Sequence, residues 1–485
     1  MNRPIRSVSV VAMLLFAALL INVSANYMLV WDSYEDSPYN RRVLDARFSA
    51  PRGPILVGNA EIASTKKVKD SYGYLRYYPE GDEEYPTAKI YAPVTGYYSY
   101  LYGASGLELT QSAQLTGEDS SQFLDWIVRK LSGKQEEGSI VETTLNDKAQ
   151  KAAWKALDGR KGAVVAIDTK TGAIRALVSS PSYDPNELDT HDFDASQKAW
   201  AKLNSDVDKP MNNRATREVY QPGSTFKLIT AAAALENGIV KDGDSEVESG
   251  SYTLPTSSVV FSGNCGGDKI TLTQALVTSC NPAFGRLGVE VGAEKLVEQA
   301  AKFGFGTEPL SEISSVASKF PAKADPPQTA MSAIGEFEVA ATPLQMAMVA
   351  AAIQNGGEVM KPYLVQRIST QDLRDTYVAK PQSMGQALTP ANAQTLRDAM
   401  VAVVEEGTGT AARIKGYEVG GKTGTATVSE SRHPYAWFVS FVSEENLAVC
   451  AFLEDAGVGT TETTGGRLAA PIAKAVMQAM IKENP

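Results

Sequence analysis

The distribution of charged and apolar positions sets the first 31 residues apart from the rest of the chain. Residues 7–31 carry no charge and would span roughly 37 Å as a helix, against about 30 Å of membrane hydrocarbon. Because Arg3 and Arg6 precede this run, it predicts a membrane anchor with a cytoplasmic N-terminus. A cleaved signal peptide stays open as an alternative, since residues 23–25 fit a small-residue cleavage site, but Trp31 suits an interfacial anchor better. Both interpretations export the remainder.

The next stretch, residues 32–144, is rich in Tyr and Gly and contains short alternating runs such as residues 88–94. This pattern predicts a small, mostly β domain that serves as a spacer and contacts partners. A helix predicted over residues 145–157 leads into a larger domain, residues 145–485.

The larger domain opens with a predicted hairpin, residues 163–167 and 173–178 around the turn 168–172. Its middle is predicted to be helical, and its end returns to strands before a closing amphipathic helix. The predicted helices are 224–236, 272–277, 293–303, 343–354 and 468–482, and the later strands are 423–427, 436–442 and 446–454. A sheet with strands from both ends of the domain and a helical middle predicts an α+β fold.

The helix predicted over residues 224–236 carries the first candidate chemistry. Pro222-Gly223 sets its start, so Ser224 lies in the first turn and Lys227 lies three residues on, on the same face. The unpaired amides of that turn favour an oxyanion. A serine has roughly a one in twenty chance of such a lysine, but an ammonium in an otherwise apolar helix is unusual.

Composition narrows the class of protein. A length of 485 residues predicts two folded domains, and a composition of 43% apolar and 21% charged residues is typical of a globular protein. The net charge of −10 argues against a nucleic-acid partner. Of three cysteines, Cys450 lies in a strand-like run, which leaves Cys265 and Cys280 as the candidate disulfide. Such a bond would close a loop of about fifteen residues and contribute about 3 kcal/mol.

Two further motifs follow Ser224 along the chain. Ser279-Cys280-Asn281 stands at a predicted helix end, and Lys422-Thr423-Gly424-Thr425 at the start of a predicted strand. Together the three read S-x-x-K, S-x-N and K-T-G, the signature of penicillin-binding proteins and serine β-lactamases. A phosphate-loop pattern overlaps the third motif at residues 416–423, but β-branched residues follow it where a helix would have to begin.

On these motifs the chain resembles the class B penicillin-binding proteins, most closely those of actinobacteria. The resemblance covers almost the whole chain and extends to residues 52–56, 102–108, 213–215, 220–227, 341–347, 407–412 and 436–439. It implies a penicilloyl-serine transferase fold, the serine β-lactamase-like domain with an antiparallel sheet and a helical subdomain. Cys280 departs from the family pattern, and a bond to Cys265 would brace the active site.

The resemblance implies D,D-transpeptidation. Ser224 would attack the penultimate D-Ala of a peptidoglycan stem peptide (D-Ala-D-Ala), release the terminal D-Ala and pass the acyl group to a neighbouring amine; β-lactams would acylate the same serine. Lys227 can act as base only if its pKa falls, which burial and Lys422 both favour. Ser279 would relay a proton, and Asn281 would hold Lys227.

The third motif would bind the substrate. Lys422 and Thr423 would bind its terminal carboxylate, Gly424 would permit close approach, and strand 423–427 would pair with its extended backbone. The backbone amides of Ser224 and Thr425 would form the oxyanion hole.

Other functions remain in competition. A D,D-carboxypeptidase or a serine β-lactamase would use the same serine, although residues 281–422 contain no E-x-x-L-N element, and a non-catalytic receptor would keep only the fold. A bifunctional synthase is disfavoured, because the region before residue 150 is too short for a glycosyltransferase. His191 and His433 lack neighbours at ligand spacing, so we expect no metal or cofactor. The resemblance implies a single-pass membrane protein whose partners include a polytopic SEDS-type glycosyltransferase and division proteins.

Overall fold

The computed structural model describes residues 3–35, 45, 48–117, 138–426, 433–455 and 465–481. The chain divides into two compact units, residues 1–51 with 66–75 and residues 52–65 with 76–485. The second unit contains all of the candidate site residues.

Helix α1, Arg3–Glu35, belongs to the first unit and contains the predicted membrane segment. Within α1, Ile5–Asn26 is long and apolar enough to cross a membrane, by length and composition. Phe16 is 70% exposed, as expected for a side chain that faces lipid. The side chain of Trp31, predicted to lie at the membrane interface, is outside the described part of the chain.

The other helices and the strands account for most of the remaining described residues. The helices are α2 Thr87–Thr95, α3 Gly106–Thr110, α4 Ser112–Thr116, α5 Asp147–Leu157, α6 Phe193–Ser205, α7 Lys227–Glu236, α8 Leu272–Val277, α9 Asn281–Val291, α10 Ala293–Lys302, α11 Pro326–Ala333, α12 Pro343–Gln354, α13 Pro390–Glu405, α14 Gly465–Leu468 and α15 Ala470–Met480. The strands are β1 Ile55–Val57, β2 Ala60–Lys67, β3 Tyr74–Tyr77, β4 Tyr98–Ser99, β5 Gly103–Ala104, β6 Ile140–Thr143, β7 Gly162–Asp168, β8 Ile174–Ser180, β9 Glu246–Glu248, β10 Tyr252–Thr253, β11 Val260–Phe261, β12 Lys269–Thr271, β13 Glu358–Met360, β14 Val365–Ser369, β15 Asp375–Val378, β16 Ser383–Gln386, β17 Val419–Ala426, β18 Tyr435–Val442 and β19 Leu447–Leu453.

An antiparallel sheet in the order β17-β18-β19-β7-β8 lies at the centre of the second unit. Its side chains alternate between two apolar layers: Val164 and Ala166 lie in a cluster with α15, whereas Val165 and Ile167 lie in a cluster with α12. Strands from both ends of the predicted domain therefore pair, with helices on both faces. The predicted α+β fold with an antiparallel sheet and a helical subdomain is confirmed, and β17 is an edge strand.

Two predicted elements near the C-terminus have different bounds in the structure. Strand β17 begins at Val419, four residues before the predicted start, because Gly420 and Gly421 leave room for the rings of Phe441 and Phe438. A Cβ at these two glycines would lie 2.2 Å and 2.4 Å from those rings. The predicted closing helix corresponds to α15, which begins at Ala470, and shares only Leu468 with the short helix α14 before it. The predicted ends at Thr427 and Lys482 fall outside the described residues.

One stretch predicted to belong to a β region is helical. Residues 88–94 lie within α2, which buries Ile90, Tyr91 and Val94 and exposes Lys89. A short run that is buried on most of its sides has no clear period of apolar residues. The alternation in residues 88–94 therefore did not distinguish a strand from a helix.

A six-stranded sheet in the order β15-β14-β6-β1-β2-β3 joins N-terminal strands to distant ones. Strand β6 pairs with β1 in parallel and with β14 in antiparallel orientation. Two strands from residues 365–378 therefore complete a sheet that begins near residue 55, a pairing that the sequence analysis did not predict.

A buried cluster of charges lies beside this sheet. The Glu108 carboxylate accepts hydrogen bonds from Nε of Arg52 at 3.0 Å and from Nε of Arg76 at 2.6 Å, and all three side chains are at most 2% exposed. Arg52 also stacks over the ring of Tyr98, 4.0 Å from its centroid. Each buried guanidinium thus depends on one shared carboxylate.

We predict that Glu108→Ala destabilises the second unit, because it leaves two buried guanidinium groups without their counterion. The cost of such a change is about 3–5 kcal/mol, seen as a lower thermal midpoint of the full chain in detergent. Glu84→Ala is the control, since the Glu84–Lys155 pair is exposed and its loss should leave the midpoint unchanged. Equal midpoints for the two variants would contradict the role given to Glu108.

Candidate active site

Ser224 lies in a 3-10 turn, Gly223–Phe226, that leads directly into α7. Gly223, Thr225 and Phe226 are buried, whereas Ser224 is half-buried and so reachable from outside. The prediction that Ser224 occupies the first turn of a buried helix is confirmed, with a tighter first turn than an α-helix has. Asn237 caps the end of α7, and Gly238 follows with φ +67°.

Two close backbone approaches hold the Ser224 turn in place. The amide of Gly223 donates to the carbonyl of Gly335 at 3.0 Å, and a Cβ on Gly335 would lie 2.1 Å from the carbonyl oxygen of Gly223. On the other side, a Cβ on Gly424 would lie 2.7 Å from the carbonyl oxygen of Pro222. The turn is therefore fixed between the end of α11 and the edge strand β17.

Lys227, the first residue of α7, is fully buried and reaches the loop between α8 and α9. Its Nζ donates to the backbone oxygen of Ser279 at 2.6 Å and to Oδ1 of Asn281 at 2.5 Å, and lies 3.2 Å from Oγ of Ser279. A neutral amine has two hydrogens and one lone pair. The two carbonyl oxygens can take both hydrogens, which leaves the lone pair to accept a proton.

The loop that carries Ser279 and Asn281 is tied down by a disulfide. Cys280 is bonded to Cys265, as predicted, and Cys450 is a buried free thiol. Ser279 takes a positive φ of +55°, and Asn281 begins α9. The middle residue of the motif thus anchors the loop, while its two neighbours contact Lys227.

Lys422 is fully buried in the edge strand β17. Its Nζ donates to Oγ of Ser279 at 2.9 Å and to the backbone oxygen of Thr423 at 3.0 Å. The hydroxyl of Thr423 lies 2.7 Å from that of Thr408. Ser279 therefore lies between the amines of Lys227 and Lys422, and all three motifs meet at one place.

Burial changes the ionisation of both lysines. The pKa of Lys227 is held well below its usual value, first by burial and then by the charge of Lys422. Burial lowers the pKa of Lys422 to about 7. Both effects on Lys227 favour its neutral amine, which is the state that a general base requires.

A third titratable group belongs to the site, and the sequence analysis missed it. Glu336 follows Gly335 on the loop after α11, where burial raises the pKa of its carboxyl to about 7 and Lys227 opposes that rise. Glu336 belongs to none of the three motifs, so no spacing in the sequence points to it.

The phosphate-loop pattern at residues 416–423 runs into β17 and opens no helix, which removes the structural basis for a nucleotide site there. His433 lies at the surface, with Nδ1 2.7 Å from Oδ1 of Asp455. In the ranges that the structure describes, no group of three or more His, Cys, Asp or Glu side chains is placed to hold a metal ion.

Comparison with known proteins agrees with this geometry. A family model described as the penicillin binding protein transpeptidase domain matches residues 162–478, and one described as the penicillin binding protein A dimerisation domain matches residues 52–141. The chain belongs to the penicillin-binding protein family. The peptidoglycan D,D-transpeptidase PbpA of Mycolicibacterium smegmatis is 39% identical over 501 residues, covering 100% of both chains.

Solved structures of a penicillin-binding protein A resemble this penicillin-binding protein closely. The crystal structure of PBPA from Mycobacterium tuberculosis has a TM-score of 0.83 at 34% identity and covers 90% of this chain and 100% of that one. Its penicillin G acyl-enzyme complex has a TM-score of 0.82 at 35% identity, covering 89% and 99%. The actinobacterial resemblance predicted from the motifs is confirmed.

We predict that Gly335→Ala displaces the Ser224 turn and slows acylation by penicillin about a hundredfold. The new Cβ would overlap the Gly223 carbonyl, and φ at residue 335 is +80°. Stopped-flow acylation of the full chain measures the rate.

Gly416→Ala is the matched control. Its φ is +85°, and a Cβ there meets nothing within 4 Å, so it adds backbone strain of about 1 kcal/mol without overlap. Equal acylation rates for the two variants would show that the contact between Gly335 and Gly223 does not position Ser224.

Proposed function

We propose that this chain is a membrane-anchored peptidoglycan D,D-transpeptidase in which Ser224 forms the acyl-enzyme, both with stem peptides and with β-lactams. The observation that carries the proposal is the convergence of two buried amines on Ser279, beside the turn that presents Ser224. The family match and the full-length similarity to PbpA transpeptidases support the same activity.

In the first half of the reaction, Lys227 accepts the proton of Ser224 while Oγ attacks the carbonyl of the penultimate D-Ala. The position of Lys227, three residues after Ser224 and fully buried, suits this role. Asn281 holds the Lys227 amine through the 2.5 Å hydrogen bond to its Oδ1. The C–N bond then breaks, and the terminal D-Ala leaves as an amine that must gain a proton.

Ser279 delivers that proton in this proposal. Its Oγ lies 3.2 Å from Nζ of Lys227 and 2.9 Å from Nζ of Lys422, so a proton can pass from Lys227 through the hydroxyl to the leaving amine. In the second half, the incoming amine of a neighbouring stem peptide attacks the acyl group, and the same groups work in reverse. Ser224 is then released for another cycle.

The edge strand β17 binds the substrate backbone in this account. Lys422 and Thr423 bind the terminal carboxylate of the donor peptide, and a protonated Lys422 is stabilised once that carboxylate is bound. Gly424 lets the peptide approach the strand closely. The backbone amides of Ser224 and Thr425 form the oxyanion hole; Gly223 approaches Thr425 so closely that a Cβ on it would lie 2.4 Å from the Thr425 carbonyl oxygen.

The domain boundaries and the membrane orientation are also proposals. We place the cytoplasmic tip and anchor at residues 1–31, a pedestal at 32–144 and the transpeptidase domain at 145–485. Arg3 and Arg6 before the span favour an N-terminus inside and a catalytic domain outside, where peptidoglycan lies. Labelling of a single cysteine introduced at the exposed position Ser258 by a membrane-impermeant reagent in intact cells tests this orientation.

A partner that polymerises glycan strands would supply the substrate. By family analogy, we propose a polytopic SEDS-type glycosyltransferase and division proteins as partners, reached through the membrane helix and the pedestal. Cross-linking in membranes followed by mass spectrometry tests this proposal.

We predict that penicillin adds one acyl group to the wild-type chain and none to Ser224→Ala, because Ser224 supplies the attacking oxygen. Intact-protein mass measures the adduct, and Ser258→Ala, which alters an exposed serine, is the control that should keep it. Labelling of the Ser224→Ala variant would contradict the assignment of the nucleophile. Rapid loss of the wild-type adduct would favour a β-lactamase over a transpeptidase.

We predict that Lys227→Arg slows acylation at least about a hundredfold between pH 5 and pH 9, because an arginine stays protonated and cannot act as base. In the wild type the rate should rise with pH as Lys227 loses its proton, and the lowered pKa places this rise well below the pH at which an ordinary lysine side chain loses its proton. Lys241→Arg, at an exposed lysine, should keep the wild-type profile. A Lys227→Arg rate that rises with pH as in the wild type would contradict the role of Lys227.

A further inference from the structure

Three contacts fix the loop that carries Glu336 against the elements that carry Ser224 and Lys227. Gly335 accepts the hydrogen bond from Gly223, and the carbonyl of Phe337 accepts one from Nε2 of Gln221 at 2.8 Å. The hydroxyl of Thr230 donates to the carbonyl of Ala333, at the end of α11, at 2.7 Å.

These contacts place the turn that carries Glu336 against the face of α7 that carries Lys227. Thr230 lies three residues after Lys227 on α7, so the two side chains share one face of the helix, and that face meets the end of α11. Gly335, with φ +80°, ends α11 in a tight turn in which the amide of Glu336 donates to the carbonyl of Met331 at 3.1 Å. The backbone of Glu336 is therefore fixed.

The charged side chains near Lys227 and Glu336 lie on β17, on the loop after α11 and on the segment around Lys319. Lys227 is acted on by Lys422 from β17 and by Glu336 from the loop, and the two have opposite effects. Glu338, on the same loop, and Lys319, whose backbone pairs with Ala340, are both exposed to solvent. Glu336 is thus the carboxylate that offsets the repulsion between the two buried amines.

We propose that Glu336 is a positioning residue of the transpeptidase site, whose negative charge stabilises the protonated form of Lys227 and so sets the pH range in which Lys227 serves as base. The proposal rests on the function argued above. In the reaction, Lys227 becomes an ammonium when it takes the Ser224 proton, and the nearby carboxylate stabilises that state until the proton passes to the leaving amine. Burial raises the pKa of Glu336 to about 7 and Lys227 opposes that rise, while Glu336 raises the pKa of Lys227, so the ionisation of each group depends on that of the other.

The test is the pH dependence of penicillin acylation of the full chain in detergent. Removal of the charge by Glu336→Gln lowers the pKa of Lys227, so the rise of the rate with pH should move to lower pH, by a few tenths of a unit to about one unit. Glu336→Asp keeps the charge and should restore most of the wild-type profile. Glu338→Gln removes an exposed carboxylate two residues away and is the matched control, with no shift expected.

A Glu336→Gln profile that coincides with the wild-type profile, or differs only by a constant factor at every pH, would overturn the proposal. If Glu336→Gln does not fold, as judged by thermal denaturation, Glu336→Ala removes the same charge and must show the same acid shift. These outcomes are separate from the assignment of Ser224, because failure of that assignment would appear as labelling of Ser224→Ala whatever residue 336 is.

Discussion

Two lysine amines buried side by side are the constraint on which the site depends. Burial disfavours the charged form of each, and their proximity makes it unfavourable to charge both. The two amines donate hydrogen bonds to carbonyl and hydroxyl oxygens of Ser279, Asn281 and Thr423, and none of these acceptors is a carboxylate. A carboxylate in direct contact would hold the proton on Lys227 and deprive Ser224 of its base. Glu336 raises the pKa of Lys227 through its charge, which adjusts the ionisation of that amine without fixing it.

The fold holds these groups by packing. Helix α7 is buried along almost its whole length, so Lys227 cannot turn outward to solvent. Strand β17 fixes Lys422 through its pairing with β18. The disulfide of Cys280 fixes the loop that carries Ser279 and Asn281. Glycines 223, 335 and 424 then let three backbone segments approach more closely than any side chain would allow. The catalytic groups are therefore preorganised before substrate binds.

Much of this arrangement could be predicted from the sequence. The apolar run of α7, the strands of the central sheet and the three short motifs each carry a local signal, and the motifs occur in a known order. The Cys265–Cys280 pair was predicted because the strand-like run around Cys450 left these two cysteines as the candidates. Other features have no local signal. Strand β17 extends over two glycines that leave room for two phenylalanine rings on the next strand, and the β6–β14 pairing joins residues far apart in the chain. Glu336 reaches the site through tertiary contacts of the α11 turn, which no spacing encodes.

The most direct test of the central claim is a crystal structure of the chain after reaction with penicillin. The account predicts a covalent bond from Oγ of Ser224 to the opened β-lactam carbonyl carbon, with the carbonyl oxygen at the amides of Ser224 and Thr425. The penicillin carboxylate should lie against Lys422 and Thr423. Density for the ligand on any other residue, or a carboxylate bound away from β17, would contradict the account.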